Sequence, residues 1–312
     1  MPDVMDQVTI GIVTRDRPDA LRTCLASLAA LGDALAEVIV VDDNGSVSLD
    51  DALAAAPAGI TRVVRQRRNE GYIVARNAIV RAASTEAVLL LDDDAALLGD
   101  GRIADAVRMM EANPGIGAIA CAMSAPGGAP FPAAMQPAPV DYTCCVASFI
   151  GFAHLLRRSA FLEVGGYRES FYFYGEEKDL CIRLLDAGRD VVYMPHVRVV
   201  HDVHPGGRSA SKYVRYVVRN DCLFAMYNEP WPMLIASVPI RLSRYFPMSR
   251  GLADRAAGFV WVVGELLRTV PAVLGERRPV SWPTIRRWRQ RARSAPAFGT
   301  SEAAAQWGPR LA

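Results

Sequence analysis

No run of about 18 uninterrupted apolar residues occurs in the chain, which argues against a membrane-spanning helix. Residues 1–6 lack the basic stretch and apolar core of a secretory leader, so export is not expected. There is no Cys-x-x-Cys pair: the six cysteines, Cys24, Cys121, Cys144, Cys145, Cys181 and Cys222, are scattered through apolar runs and read as reduced, buried thiols of a cytoplasmic protein. Net charge is nearly absent. The balance of 35 basic and 33 acidic residues leaves +2, so no overall field points to a nucleic-acid partner. No Gly-x-Gly-x-x-Gly follows the first strand-like run, which disfavours a dinucleotide-dependent dehydrogenase. The glycine-rich loop, arginine and Pro-Lys pair that open sugar nucleotidyltransferases are also missing, and Gly11-Ile12-Val13-Thr14-Arg15 stands there instead.

What is present is ample core material, 51% hydrophobic residues in a chain of 312. Residues 8–13, 38–41, 60–64, 88–91 and 116–121 read as strands, alternating with helical patterns over 18–31, 72–83 and 102–111. That alternation predicts an α/β fold with a mostly parallel central sheet. A Pro-, Gly- and Ala-rich loop over 124–141 separates a second half, with one or two strands in 145–156, helices over 159–164 and 176–187, and strands at 191–193 and 197–200. The expected organisation is a domain over 1–205 in two halves, 1–123 and 142–205. A helical extension over 206–295 and a flexible tail over 296–312 complete it.

Two apolar strands end abruptly in acids. Val38 to Val41 runs into Asp42-Asp43, and Val88 to Leu91 into Asp92-Asp93-Asp94. In an open α/β sheet, ligands bind off the carboxyl ends of strands, so these acids stand where a ligand would. Three adjacent carboxylates repel one another, and a hard cation such as Mg2+ or Mn2+ would relieve that cost. A solvated surface turn is the alternative. Between them in the chain, Gly71 permits a tight entry into a helix whose Arg76 is a cationic contact for a diphosphate or for nearby acids. Further on, Glu176-Glu177 opens a helix, either as catalytic acids or as ordinary partners of the helix dipole. Leu180, Cys181, Leu184 and Leu185 bury one face of that helix, and Lys178 and Arg183 are expected on its solvated face. His201 follows a strand as a metal ligand or a structural residue. His204 is a weaker substitute, and His154 and His196 belong to packing or turns.

Taken in order, Thr14 after a strand, Asp43-Asn44-Gly45-Ser46, Asn69-x-Gly71 with Ala75-Arg76-Asn77, the acidic trio, Gly165-Gly166-Tyr167, Glu176-Glu177 and His201 resemble glycosyltransferase family two with its GT-A fold, over roughly residues 7–204. The resemblance implies an inverting, metal-dependent transfer of a hexosyl or deoxyhexosyl group from a UDP- or dTDP-sugar to an acceptor hydroxyl. Glycan, glycolipid or metabolite biosynthesis is the implied setting, with bacterial rhamnosyltransferase-like members among the similar enzymes. It implies that Thr14, Arg15, Asp43, Asn69, Gly71, Arg76, Asp92 and Asp93 bind the nucleotide sugar, with Asp43 accepting from the base. Asp94, Asp92 and His201 would hold Mn2+ or Mg2+, and Asp93 is either a participant or the variable middle of the Asp-x-Asp motif. The family's usual Glu-Asp is Glu176-Glu177 here, so Glu177 inherits the role of base with Glu176 as the alternative. A sugar nucleotidyltransferase and a catalytically silent nucleotide-sugar-binding scaffold are the competing readings.

The tail from Trp231 carries 13 arginines against the four acids Asp254, Glu265, Glu276 and Glu302, a net of about +9. Trp261, Leu266, Val270, Trp282, Trp288 and the run Arg286 to Arg293 fit basic amphipathic helices on the inner face of an anionic membrane. Packing on the catalytic domain or in a homodimer fits them equally.

Overall fold

The computed structural model describes residues 7–202 and 209–299. His204 and residues 300–312 of the expected tail lie outside the described residues. The first half comprises β1 (Val8–Thr14), α1 (Pro18–Ser27), β2 (Leu35–Asp42), α2 (Asp50–Leu53), β3 (Thr61–Arg65), α3 (Tyr72–Ala82), β4 (Ala87–Asp92), β5 (Ala95–Leu97), α4 (Ile103–Ala112) and β6 (Ile116–Ser124). Then come β7 (Cys144–Cys145), β8 (Ala153–Arg157), α5 (Arg158–Glu163), α6 (Glu176–Asp186) and β9 (Asp190–His201). The helices α7 (Ala210–Asn228), α8 (Trp231–Ser243), α9 (Tyr245–Met248), α10 (Arg255–Glu276) and α11 (Trp282–Ser294) follow.

The sheet order is β3-β2-β1-β4-β8-β6-β9-β5, with β7 beside β9. β1, β2, β3, β4, β6 and β9 share one direction, and β5, β7 and β8 oppose them. The sheet is therefore mixed, with a parallel majority.

Its central strands are apolar throughout because both faces are covered. Side chains alternate across a strand, so Val38 and Val40 meet Leu21 and Leu25 of α1 on one face. Ile39 and Val41 join Ile79 of α3 and Leu184 of α6 on the other. Register brings the strand ends level, Thr14 opposite Asp42 and Val13 opposite Asp92. β2 and β4 flank β1 on opposite sides, which opens a crevice at their carboxyl ends.

Some elements differ from the sequence pattern for identifiable reasons. The apolar stretch over 145–156 contributes only the ends of two strands, and the chain between them is a buried loop that reaches Phe149, Gly151 and Phe152 to the crevice. The two strands expected over 191–200 are one, β9, whose pairing with β6 jumps from Met194 to Arg198. Pro195 lies inside the jump, and proline has no N–H to give to a ladder. Lys178 and Arg183 are not on a solvated face: Lys178 bonds Asp221 at 2.6 Å, and Arg183 bonds the fully buried Asp179 at 2.7 Å. All six cysteines are buried and unbridged.

In the extension, α8 and α10 both pack on α7. The residues that suggested a membrane contact turn inward for the most part. Leu266 is buried, Trp261 lies against Tyr216, and Trp288 packs on Phe224 and donates to the Ala147 carbonyl. Chain segment 296–298 pairs with residues 143–145 through Cys145 N–H to the Pro296 carbonyl and Phe298 N–H to the Thr143 carbonyl. The expectation that no segment is apolar enough to span a membrane needs correcting. α10, of 22 residues, has the length and composition, an 18-residue stretch of it reaching mean hydropathy 1.5, because the average runs over Glu265 and Arg268 where a count of uninterrupted residues stops.

Candidate active site

The crevice holds a cavity of about 660 Å³, within the range of small-ligand sites. Thr14, Arg15, Asp43, Asn69, Gly71, Arg76, Asp92, Asp93, Asp94, Glu177 and His201 all line it. Glu176 does not.

The turn between β4 and β5 sorts the acidic trio. Asp92 ends β4 and Asp94 precedes β5, and ligand atoms of Asp92, Asp94 and His201 lie within 4.8 Å of one another. Asp93, between them, is outside that set and accepts from the Thr14 hydroxyl at 2.9 Å and from Arg17 at 2.6 Å. β5 pairs with the end of β9, setting Ala95 opposite His201, and this brings residues more than 100 apart in sequence together. The imidazole stacks on Phe152 and its Nε2 lies 3.4 Å from Asp94 Oδ1. Two carboxylates and an imidazole suit Mn2+ or Mg2+ by donor type.

Arg17 also bonds Asp94, at 2.8 Å. Burial works against the charge on both acids, with different outcomes. For Asp94, hydrogen bonds and charge from His201 and Arg17 outweigh it and hold the carboxyl at about 2. For Asp93, burial prevails with the help of its two acidic neighbours, and the carboxyl rises to about 7 despite Arg17 and Thr14.

Opposite, Asp43 accepts from the backbone N–H groups of Glu70 at 2.8 Å and Gly71 at 3.0 Å, fixing the loop before α3. Asp42 is a fastener, accepting from Gly45 N–H and from Arg65. Gly71 caps α3 at φ +90°, a conformation that glycine adopts without a Cβ penalty. With its amide oxygen turned toward Arg15, Asn69 accepts from that guanidinium.

Arg76 reaches from α3 to the second half of the domain. Buried, it donates to Asp92 at 2.5 Å, to the Gly151 carbonyl at 2.8 Å and to Glu176 at 3.3 Å. Burial opposes the charge, yet Asp92, Glu176 and two tyrosines raise the guanidinium's pKa. Arg76 thus satisfies nearby acids and ties the halves together. Arg76→Met is expected to destabilise the fold by about 3 kcal/mol, the low end for breaking a buried pair because Asp92 keeps access to water. The urea midpoint of the purified variant measures this.

Glu176 and Glu177 part company at the start of α6. Glu176 is fully buried, and Glu177 faces the cavity against Gly151, where any Cβ would collide with its carboxylate. Burial raises both carboxyls above the ordinary range, Glu176 further, and Arg76 opposes both shifts. Adjacent buried carboxyls resist joint ionisation, so the two disfavour being charged together. Gly151→Ala is expected to displace Glu177 and lower turnover about ten-fold or more with little change in nucleotide affinity, read by kcat against titration of the nucleoside diphosphate.

The remaining wall was not singled out from sequence. Tyr172, Phe173 and Tyr174 line the cavity, with Tyr172 and Tyr174 at positive φ. Asn220 holds them, its amide donating to the carbonyls of Phe171, Phe173 and Tyr174 at 2.6–2.9 Å, while Arg219 donates to that of Ser170. Lys212 lies 4.7 Å from the Phe173 ring centre. Asn220 lies at least 46 residues along the chain from the carbonyls it holds, so local sequence gave no signal for this wall. Arg17 gave none beyond its place three residues after Thr14.

The model of "Glycosyl transferase family 2" matches residues 9–164. Over 208 residues the chain is 31% identical to a pre-mycofactocin glycosyltransferase of Mycobacterium tuberculosis, covering 62% of this chain and 42% of the relative. Over 77 residues it is 37% identical to the rhamnosyltransferase WbbL of Escherichia coli, 24% of this chain and 28% of that protein. The chain thus spans well under half the length of these relatives. Among solved structures, the mannosyltransferase PcManGT of Pyrobaculum calidifontis, in complex with GDP-Man and Mn2+, superposes with TM-score 0.59 at 17% identity, covering 96% of this chain and 84% of that one. TarS 1-349 of S. aureus gives TM-score 0.60 at 14% identity over 85% and 81%. The shared architecture is the GT-A fold.

Proposed function

The chain belongs to glycosyl transferase family 2 and is a glycosyltransferase, and we propose that it moves a hexosyl or deoxyhexosyl group from a UDP- or dTDP-sugar to an acceptor hydroxyl with inversion. The observation that carries this reading is the convergence in one cavity of the Asp92, Asp94 and His201 ligand set with Glu177, the one acid of the α6 pair that faces it. Thr14, Arg15, Asp43, Asn69 and Gly71 form the nucleoside side, and Arg76 holds Asp92 in place.

Glu177 takes the acceptor hydroxyl's proton as the oxygen attacks the anomeric carbon from the side opposite the diphosphate. Asp94, Asp92 and His201 would hold a divalent cation, which would supply charge stabilisation to the departing diphosphate. The name of one Mycobacterium tuberculosis relative, 42% identical over 65 residues, specifies rhamnosyl transfer to an N-acetylglucosaminyl diphospho-decaprenol, which supports a lipid-linked acceptor here. The basic helical extension then supports work at the inner face of a membrane, and a homodimer is the competing use of the same surface.

The test is a thermal-shift screen of nucleoside diphosphates and their sugars with and without Mn2+. A ligand at about 100 times its Kd adds about 2.7 kcal/mol, and UDP or dTDP with Mn2+ is expected to do so. A chain stabilised by neither, and unable to release UDP or dTDP from any labelled donor, would sink the proposal.

A further inference from the structure

Both α8 and α10 carry an exposed apolar stripe, that of α10 edged by the exposed Arg268, which pairs with Glu265. On α8 the exposed positions include Trp231, Ile235, Ala236, Pro239 and Ile240, and on α10 Val260, Gly264, Leu267, Pro271 and Leu274, at helical spacing. Ile235, Val260 and Leu267 are 67–71% exposed, far beyond what a scattered surface hydrophobe needs explained. The opposite face of α10, at Val262, Leu266 and Val273, is buried on the body of the protein. α10 therefore lies along the molecule and is not free to cross a bilayer.

The two helices both pack on α7 and approach each other near their ends. At one end the Arg277 guanidinium sits 5.1 Å from the Trp231 ring centre, and at the other Phe246, just past α8, lies 4.9 Å from Phe259. Exposed Arg250, Arg255 and Arg278 stand at the corners. A second copy on this face would bring Arg250, Arg255 and Arg278 of two chains together, whereas an anionic surface neutralises them.

This face is also wired to the cavity. Asp254, at the start of α10, accepts from Ser211 and Arg215 in the first turns of α7, whose Lys212 lines the cavity. Trp261 of α10 contacts Tyr216, and Tyr216 contacts Tyr172 and Phe173 of the cavity wall.

We propose that the apolar faces of α8 and α10, flanked by Arg250, Arg255 and Arg278, dock flat on an anionic lipid bilayer and hold the cavity mouth at its surface. Apolar side chains enter the headgroup boundary while the arginines meet lipid phosphates. The proposal rests on the glycosyltransferase reading only for what the cavity meets there, an acceptor carried by lipid.

The full chain is sedimented with vesicles of phosphatidylcholine alone and of phosphatidylcholine with phosphatidylglycerol, at low and high salt. Partition is expected to be about ten-fold stronger or more on the anionic vesicles, and weaker in high salt. Ile235→Asp with Leu267→Asp should lower it about ten-fold at an unchanged circular dichroism spectrum. Arg250→Glu with Arg278→Glu, a surface pair that leaves the core alone, should remove the preference for the anionic lipid. Equal binding to both vesicles overturns the proposal. So does an absence of binding together with a dimer that Ile235→Asp and Leu267→Asp convert to monomer, which assigns the face to a second copy. Nucleotide binding is read separately by thermal shift: vesicle binding without any nucleotide response supports docking and removes the glycosyl-transfer reading alone.

Discussion

Glu177→Gln is expected to lower kcat by about 10²–10⁴-fold, the usual contribution of a positioned base, with the affinity for Mn2+ and nucleoside diphosphate nearly intact. A sugar hydroxyl is a weak nucleophile near neutrality, so the proton must leave as the bond to the anomeric carbon forms. Glutamine keeps the shape against Gly151 but cannot accept that proton. The parent's pH profile provides a second readout. The base must be ionised, and burial raises the Glu177 pKa, so activity falls as pH drops through a limb above the ordinary carboxylate range. That limb should be missing from the variant's residual activity. Glu176→Gln should cost far less, because Glu176 is sealed from the cavity. Equal losses in both variants, or none in Glu177→Gln, would remove Glu177 from the chemistry.

Asp94→Ala is expected to abolish the Mn2+ response and lower kcat/KM by about 10³-fold, equivalent to several kcal/mol of charge stabilisation. Asp94 stands between His201 and Arg17, and both hold its carboxylate charged well below neutrality. Its removal takes the central ligand from the Asp92, Asp94 and His201 set and leaves Arg17 with Asp93 alone. Mn2+ titration by electron paramagnetic resonance, run without donor or acceptor, separates lost metal affinity from lost chemistry. Unaltered Mn2+ affinity in Asp94→Ala would remove it from the ligand set. Asp93→Asn is the contrast, since Asp93 faces Thr14 and Arg17 and should leave that titration almost unchanged.

Much of this was legible because the signals are local. Alternation of β-branched runs with helical spacing fixes an α/β fold, and a strand that stops in acids places them at the sheet's carboxyl edge whatever its neighbours are. What was illegible depended on contacts between distant segments. Residues 145–156 are apolar because the loop is buried, which composition cannot tell from a strand. Lys178 and Arg183 pattern as a solvated face, and only the arrival of Asp221 from α7 and the burial of Asp179 give them partners. Trp288 and Leu266 pattern as a membrane face and turn inward, while Ile235 and Leu267 turn out. A stripe's periodicity says that a face is apolar, not which neighbour covers it.

The paired strand ends return to the same division. The sequence by itself determined that Asp42, Asp43 and Asp92 to Asp94 end strands, and that a ligand site lies off them. Only the tertiary structure decided which acids act together. The turn between β4 and β5 gave Asp93 to Thr14 and Arg17, pairing of β5 with β9 delivered His201 to Asp92 and Asp94, and the seating of α6 buried Glu176 while leaving Glu177 open. Residue spacing fixes position along a strand or helix, but a shared metal site or a base needs atoms within a few ångström, and only packing sets that distance.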